Sequence, residues 1–134
     1  MKIAVSAETY PGESRVAATP DTIKAFIKKG FEVAVEAGAG KGAFISDDAF
    51  AGAGARIGNG ADIRKDADIL LSVRRPEAQA TEPLKRGALV AAILDPYGDR
   101  PGLEALARQG LTLFAMMLFG DAKKMTEEIV KAMG

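Results

Sequence analysis

The 134-residue chain carries 18 basic and 18 acidic side chains, so its formal net charge is zero, and 48% of its residues are apolar. This balance is typical of one globular domain with a real hydrophobic core, and it provides no global field that would attract nucleic acid or an anionic membrane. The chain contains neither cysteine nor histidine, which excludes disulfides, thiol catalysis and cysteine-bound metal and removes the commonest general base and metal ligand.

Short apolar runs alternate with helical patterns, which is typical of β–α–β units in a parallel sheet. A strand is predicted over 3–5, followed by a helix that Thr19 caps and Gly30 stops. The inward stripe of that helix is predicted to be Ile23, Phe26 and Ile27. The later elements, in chain order, are a strand over 32–36, a short helix capped at Ser46, a helix over 62–67, a strand over 69–73, an irregular connection over 74–85, a strand over 89–94, a helix over 101–109, a strand over 112–117 and a closing helix capped by Asp121.

These elements predict an α/β fold: a three-layer, flavodoxin-like, doubly wound parallel sheet of about five strands in a single domain over 1–134. The strand order expected of this class is 2-1-3-4-5. The N-terminus is too short and polar for a signal peptide, and the longest apolar stretch, 111–119, is about half a membrane span. We therefore expect a cytoplasmic protein that does not insert into a membrane.

Glycine is concentrated between the second strand and the next helix, in Gly38-Ala39-Gly40-Lys41-Gly42-Ala43. A dinucleotide fingerprint has similar spacing but opens directly into a helix and has an acid at the end of the following strand. Here the helix cap comes only at Ser46, and no such acid is evident. The pattern favours a glycine turn over a phosphate-binding loop.

The candidate ligand contacts lie in loops at the carboxyl ends of the strands, where doubly wound sheets bind their ligands. Arg15 can hold a carboxylate or phosphate in a bidentate fork, or it can form a local ion pair with Glu13. Arg74 and Arg75 end the third predicted strand, and neighbouring strand residues point to opposite sides, so we expect at most one of them to face the crevice. No catalytic residue and no metal ligand is assigned.

The segment Gly120-Asp121-Ala122 joins the last predicted strand to the closing helix. Backbone N–H groups at such a helix start can hold a phosphate or ribose, and the alternative is plain capping by Asp121. Lys123 and Lys124 in the first helical turn oppose the helix dipole, which slightly favours the ligand interpretation.

Five segments carry a resemblance to a known family: PGESRVAATP at 11–20, GFEV at 30–33, EAGAG at 36–40, ADIL at 67–70 and GLTLFAM at 110–116. On these residues, positions 1 to about 116 resemble the first lobe of the NAD-binding (alpha) subunit of proton-translocating NAD(P) transhydrogenase. Alanine dehydrogenase shares this lobe, and that resemblance implies that Arg15 holds a substrate carboxylate. It also implies a catalytic lysine where this chain has Arg74, and a histidine where it has Ala92-Ile93-Leu94. Both departures favour the transhydrogenase.

Residues 117–134 resemble instead the last strand and helix of the NADP-binding (beta) domain of the same enzyme system. There the Gly-Asp-Ala stretch lines the NADP site, which implies a nucleotide contact at Gly120, Asp121 and Ala122. The two segments normally belong to different domains, so we predict a join near Met116-Met117. In this interpretation the chain is a chimeric or truncated form, natural or engineered, whose closing helix covers the sheet with Met125, Ile129 and Met133.

The resemblance implies a parent reaction, hydride transfer between NADH and NADP coupled to proton translocation, on the cytoplasmic face of a membrane. We expect no autonomous catalysis and no cofactor in this chain, although NAD and NADP serve the parent family. The expected partners are the remaining transhydrogenase domains, with a homodimer as a further option. Two alternatives stay open: a lobe of an NAD(P)-dependent oxidoreductase that needs a separate Rossmann partner, and a small anion-binding module that uses Arg15, Arg74 and the helix start at Asp121.

Overall fold

The computed structural model describes residues 1–65, 67–74, 76, 78–93, 108 and 112–115. Within these ranges the strands are β1 (Lys2–Val5), β2 (Glu32–Glu36), β3 (Arg56–Gly58), β4 (Ile69–Arg74), β5 (Leu89–Ile93) and β6 (Thr112–Ala115). The α-helices in the same ranges are α1 (Pro20–Lys28), α2 (Asp47–Gly52), α3 (Gly60–Arg64) and α4 (Ala78–Thr81). A single 3₁₀ turn, Lys41–Ala43, precedes α2.

All described strand pairs are parallel, and the sheet order is β3-β2-β1-β4-β5-β6. The five predicted strands therefore occur in the predicted order 2-1-3-4-5, and the short β3 is added at the β2 edge. The order reverses between β1 and β4, where Val5 lies opposite Leu71. Loops leaving these two strands in opposite directions open a crevice at their carboxyl ends.

Apolar residues on the two faces of the sheet form two separate core clusters. On one face Ile3 and Val5 pack with Ile23 and Phe26 of α1. On the other face Ala4 packs with Ile63 of α3. This alternation follows from the two-residue repeat of a strand, and with helices on both faces it produces the predicted three layers.

Helix α1 begins as predicted, because the Thr19 side chain accepts the N–H of Thr22 at 3.3 Å and Pro20 occupies the first turn. Ile23 and Phe26 are fully buried. The prediction was wrong for Ile27, which is 36% exposed. One residue turns an α-helix by about 100°, so the residue after Phe26 lies at the margin of the inward face.

Two local predictions differ from the structure. Helix α3 starts at Gly60 rather than 62 and ends at Arg64, because the side chain of Asn59 caps it and accepts the N–H of Asp62 at 2.9 Å. The connection over 74–85, expected to be irregular, contains α4, whose alanines and glutamine are good helix formers.

Several predicted features lie outside the described residues: Leu94, the strand end over 116–117, the join near Met116-Met117, the closing helix, and the helix over 101–109 except for Arg108. No helix in the described ranges combines the length and apolarity needed to cross a bilayer.

Candidate functional site

The crevice at the switch point encloses about 500 Å³. Its walls come from the loop after β1, the ends of β2 and β4, and helices α3 and α4. Charged and hydroxyl side chains dominate these walls: Ser6, Glu8, Tyr10, Glu36, Arg64, Ser72 and Arg74. The size and the position both fit a small-molecule site of a doubly wound sheet.

Glu8 crosses the crevice from the β1 side to the end of β4. Its carboxylate accepts the backbone N–H of Val73 at 3.0 Å and that of Arg74 at 2.7 Å. The hydroxyl of Ser72 donates to the same carboxylate at 3.1 Å. With these three donors the carboxylate is already engaged, so in this conformation it acts as a structural clasp between the two loops.

Glu13 neutralises two arginines at the rim of the crevice. Arg15 donates to it in a bidentate fork, with Nε–Oε2 at 2.9 Å and Nη2–Oε1 at 2.7 Å. Arg74 donates through Nε to Oε1 at 2.9 Å, and its guanidinium carbon lies 4.6 Å from the ring centroid of Tyr10. The Glu13 side chain is only 4% exposed, whereas the two arginine side chains are close to half exposed.

The pKa of Glu13 is lowered from its ordinary value of 4.5 to about 2, mainly because the Arg15 side chain donates to the carboxylate. Burial opposes this shift, and the backbone N–H of Arg15 and the side chain of Arg74 add to it. The same pairing raises the pKa of Arg15 above its usual value. Glu13 is therefore an anion at any physiological pH, and it occupies the fork that an external carboxylate would use.

A second ion pair lines the inner wall. Arg64 donates to Glu36 at 3.0 Å, and its Nε and Nη2 each lie 3.2 Å from the Ser6 hydroxyl, to which they donate. Glu36 also accepts the N–H of Ala7 at 2.7 Å. Both charged side chains are largely buried, and together they join the ends of β1 and β2 to α3.

The glycine turn packs against its own chain. A Cβ on Gly40 would lie 2.5 Å from the Ile45 carbonyl oxygen, and a Cβ on Gly42 would lie 2.9 Å from the backbone of Ser14. Phe44 ends the turn in the left-handed region with φ 60° and a side chain that is 99% exposed. The space beside these glycines is filled by the protein itself, so the turn does not fit a dinucleotide phosphate.

The structure brings together only some of the predicted site residues. Arg74 lines the crevice as expected for one of the two adjacent arginines, whereas Arg75 lies outside the described residues. Arg15 is not a lining residue and adopts the alternative role of a local pair with Glu13. The predicted contacts Gly120, Asp121 and Ala122 also lie outside the described residues.

Four residues of the crevice were not predicted from the sequence: Glu8, Glu36, Arg64 and Ser72. A usable signal existed for Glu8 and Glu36, because each carboxylate comes at or just after the end of a buried strand on the ligand-binding side of the sheet. No such signal marks Arg64, which reaches the crevice only through packing of α3. Among the residues that the structure describes, no group of three or more carboxylates could hold a metal ion.

The sheet and its crevice occur in a known family of domains. The family model for the alanine dehydrogenase/PNT N-terminal domain matches residues 4–132. The chain belongs to this family. The match runs past the predicted join near Met116-Met117 and gives that join no support.

Relatives of this alanine dehydrogenase/PNT N-terminal domain come from both branches of the family name. The first of the separate alpha-subunit chains of NAD(P) transhydrogenase from Rhodospirillum rubrum is 42% identical over 88% of this chain and 32% of its own length. Alanine dehydrogenase of Mycobacterium tuberculosis is 36% identical over 86% of this chain and 31% of its own length. The crystal structure of transhydrogenase from Sinorhizobium meliloti superposes with a TM-score of 0.82 at 45% identity, covering 86% of this chain and 34% of that one. The chain thus spans about a third of the length of these relatives.

Proposed function

We propose that these 134 residues act as the first lobe of an NAD(P) transhydrogenase-type enzyme, a folded unit without catalysis of its own. The observation that carries this proposal is the pairing of Glu13 with both Arg15 and Arg74. The lobe satisfies its own crevice charges, so it holds no open fork for a nucleotide phosphate or a substrate carboxylate.

The chemistry of the crevice walls supports the same proposal. An arginine at position 74 stays protonated and cannot transfer a proton as a lysine with a lowered pKa can. Glu8, which could serve as a general base, is held by two backbone N–H groups. Proton transfer and hydride transfer are therefore assigned to the assembled enzyme and not to this lobe.

Two sequence features favour the transhydrogenase branch over alanine dehydrogenase. Arg74 stands where the resemblance implies a catalytic lysine, and Ala92-Ile93 stands where it implies a histidine. In this proposal hydride passes between NADH and NADP, coupled to proton translocation, only when the remaining domains are docked. The lobe lies on the cytoplasmic side of the membrane, and NAD and NADP bind outside it.

Titration calorimetry of the lobe with NAD, NADH and NADP tests the absence of autonomous binding. We expect no heat of binding at micromolar nucleotide, and a clear micromolar isotherm would overturn this expectation. The role in an assembly is tested by mixing the lobe with the remaining domains of the R. rubrum relative and measuring complex formation by size-exclusion chromatography and hydride transfer by absorbance. Failure to form a complex would reject the proposed role as a lobe.

A second candidate function, binding of small anions, is favoured by the presence of both Arg64 and Arg74 in the crevice wall. Thermal unfolding with added phosphate or pyruvate tests it, with Arg15→Ala as the matched variant. Stabilisation of the wild type that disappears in Arg15→Ala, without a change in ligand-free stability, would favour this function over the lobe proposal.

The origin of residues 117–134 is a separate question within the proposal. Their resemblance to the end of the NADP-binding domain supports a join, whereas the continuous family match to residue 132 favours a single origin. In either case we propose one folding unit over 1–134. A variant ending at Ala115 tests it: loss of cooperative unfolding is expected if the segment covers the sheet, and unchanged unfolding would contradict that.

A further inference from the structure

A second groove lies at the opposite end of the strands, independent of the crevice and of its proposed role. It encloses about 380 Å³ beside the first residues of three strands, Lys2 of β1, Glu32 of β2 and Arg56 of β3. This volume lies in the lower part of the range of about 300–1,000 Å³ that is usual for small-molecule sites.

Apolar side chains that the fold leaves partly uncovered form the floor of the groove. Ile27 is 36% exposed, and Phe31 after α1 is half-buried beside it. Strand β3 pairs only with Ala34–Glu36, so it does not extend over the start of β2. The turn at Gly54 has φ +107°, and a Cβ there would lie 2.6 Å from the Ile27 Cδ1 atom, so this glycine leaves the space that Ile27 occupies.

Three cations surround this floor: Lys2, Arg56 and Lys65, all exposed. Throughout the part of the chain that the structure describes, none of their side chains forms a hydrogen bond or an ion pair. Glu32 is the one acid in the lining, so the groove has an excess of two positive charges. The crevice differs in this respect, because its arginines are paired with Glu13 and Glu36.

We propose that this groove binds small amphipathic carboxylates, with the aliphatic chain on Ile27 and Phe31 and the carboxylate among Lys2, Arg56 and Lys65. An apolar floor alone would accept any hydrophobic molecule. The unpaired cations add selection by charge: they attract an anionic head group and repel a cationic one. A site with one apolar body and a few convergent polar groups matches the usual composition of a small-ligand pocket.

The test is a titration of the whole chain with sodium octanoate, followed by amide chemical shifts in NMR spectra. We expect saturable shifts at Ile27, Phe31 and Val33 with a Kd on the order of 1 mM. Octylammonium, which has the same chain and the opposite charge, is expected to bind about tenfold more weakly or not at all. Equal binding of the two probes, or the absence of saturable shifts, would overturn the proposal.

Charge variants localise the head group. The double variant Lys2→Gln, Lys65→Gln is expected to weaken octanoate binding about fivefold, whereas the control Lys24→Gln, Lys41→Gln, which removes two exposed lysines outside the groove, leaves it unchanged. Equal effects of both doubles would refute the assignment. If the first double does not fold, added salt on the wild type replaces it: octanoate binding must weaken as salt screens the cations, and salt-independent binding would contradict the proposal.

Discussion

Glu8 accepts the backbone N–H of Arg74 at 2.7 Å, which ties the loop after β1 to the last residue of β4. The strands β1 and β4 are the neighbours at which the sheet order reverses. Elsewhere such loops diverge and leave an open crevice. Here a single carboxylate spans the opening, so the width of the crevice depends on this contact.

Replacing Glu8→Gln is expected to loosen the end of β4. A neutral amide accepts hydrogen bonds from N–H groups more weakly than a carboxylate does, and one of its two polar atoms becomes a donor. We expect amide hydrogen exchange at Val73 and Arg74 to accelerate at least tenfold, while exchange in β1 and β2 stays slow. Glu32→Gln, which removes an exposed carboxylate at the other end of the sheet, is the control. Unchanged exchange at both amides would show that the clasp is dispensable.

The stability of the fold is expected to fall in acid because of Glu13. Its pKa is about 2 in the folded protein, below the ordinary value of 4.5, so the folded state favours the ionised form. The stabilisation is fully present above the ordinary pKa and is lost as the pH falls from about 4.5 towards 2. Urea unfolding over this range should show a decline that is shallower in Glu13→Gln.

Asp68 provides the internal reference for that experiment. Its pKa is also lowered, first by the hydrogen bond from the backbone N–H of Lys2 and further by the side chain of Lys85. This contribution has the same sign and persists in Glu13→Gln, so some acid sensitivity must remain. Identical pH profiles for the wild type and the variant would remove Glu13 as a cause.

Gly42 is expected to tolerate no side chain, because a Cβ there would lie 2.9 Å from backbone atoms of Ser14, which cannot rotate away. We expect Gly42→Ala to destabilise the protein by about 1–3 kcal/mol. Gly52→Ala is the matched control: no heavy atom lies within 4 Å of its Cβ position, and alanine at the end of α2 should be neutral or stabilising by up to about 1 kcal/mol. Thermal unfolding compares the two. Equal losses would mean that the turn does not pack as described.

The Glu36–Arg64 pair is expected to behave as one unit. The side chains are 22% and 14% exposed, so removal of either charge leaves its partner poorly solvated. Each single variant, Glu36→Gln and Arg64→Met, should lose about 1–3 kcal/mol, and the double variant should lose less than the sum of the two. A double-mutant cycle from urea unfolding measures this coupling. Strict additivity would contradict it.

The sheet was predictable from sequence because each buried strand is a short, continuous apolar run. The runs over 32–36 and 69–73 predicted strand bounds close to those observed, and the parallel fold class then implied their order. Strand β3 was missed because Arg56 interrupts its apolar pattern and only three residues pair. Its presence depends on tertiary contact with β2, which no local pattern encodes.

The candidate site was predictable in position but not in detail. The end of β4 identified Arg74 as a crevice residue, and the spacing of Glu13 and Arg15 allowed a local pair. The Glu8 clasp joins residues 66 positions apart, a separation over which spacing carries no information. Arg64 reaches Glu36 only after α3 has docked on the sheet.

Phe44 has a consequence for how this molecule can be observed. Its ring is 99% exposed on a left-handed residue beside the loop that carries Ser14, and the chain contains no tryptophan. Phe44→Trp would exchange one bulky aromatic for another in the same backbone conformation and disturb no packing. The single indole would then be a background-free fluorophore on this loop, and its emission would report directly when another domain covers that surface.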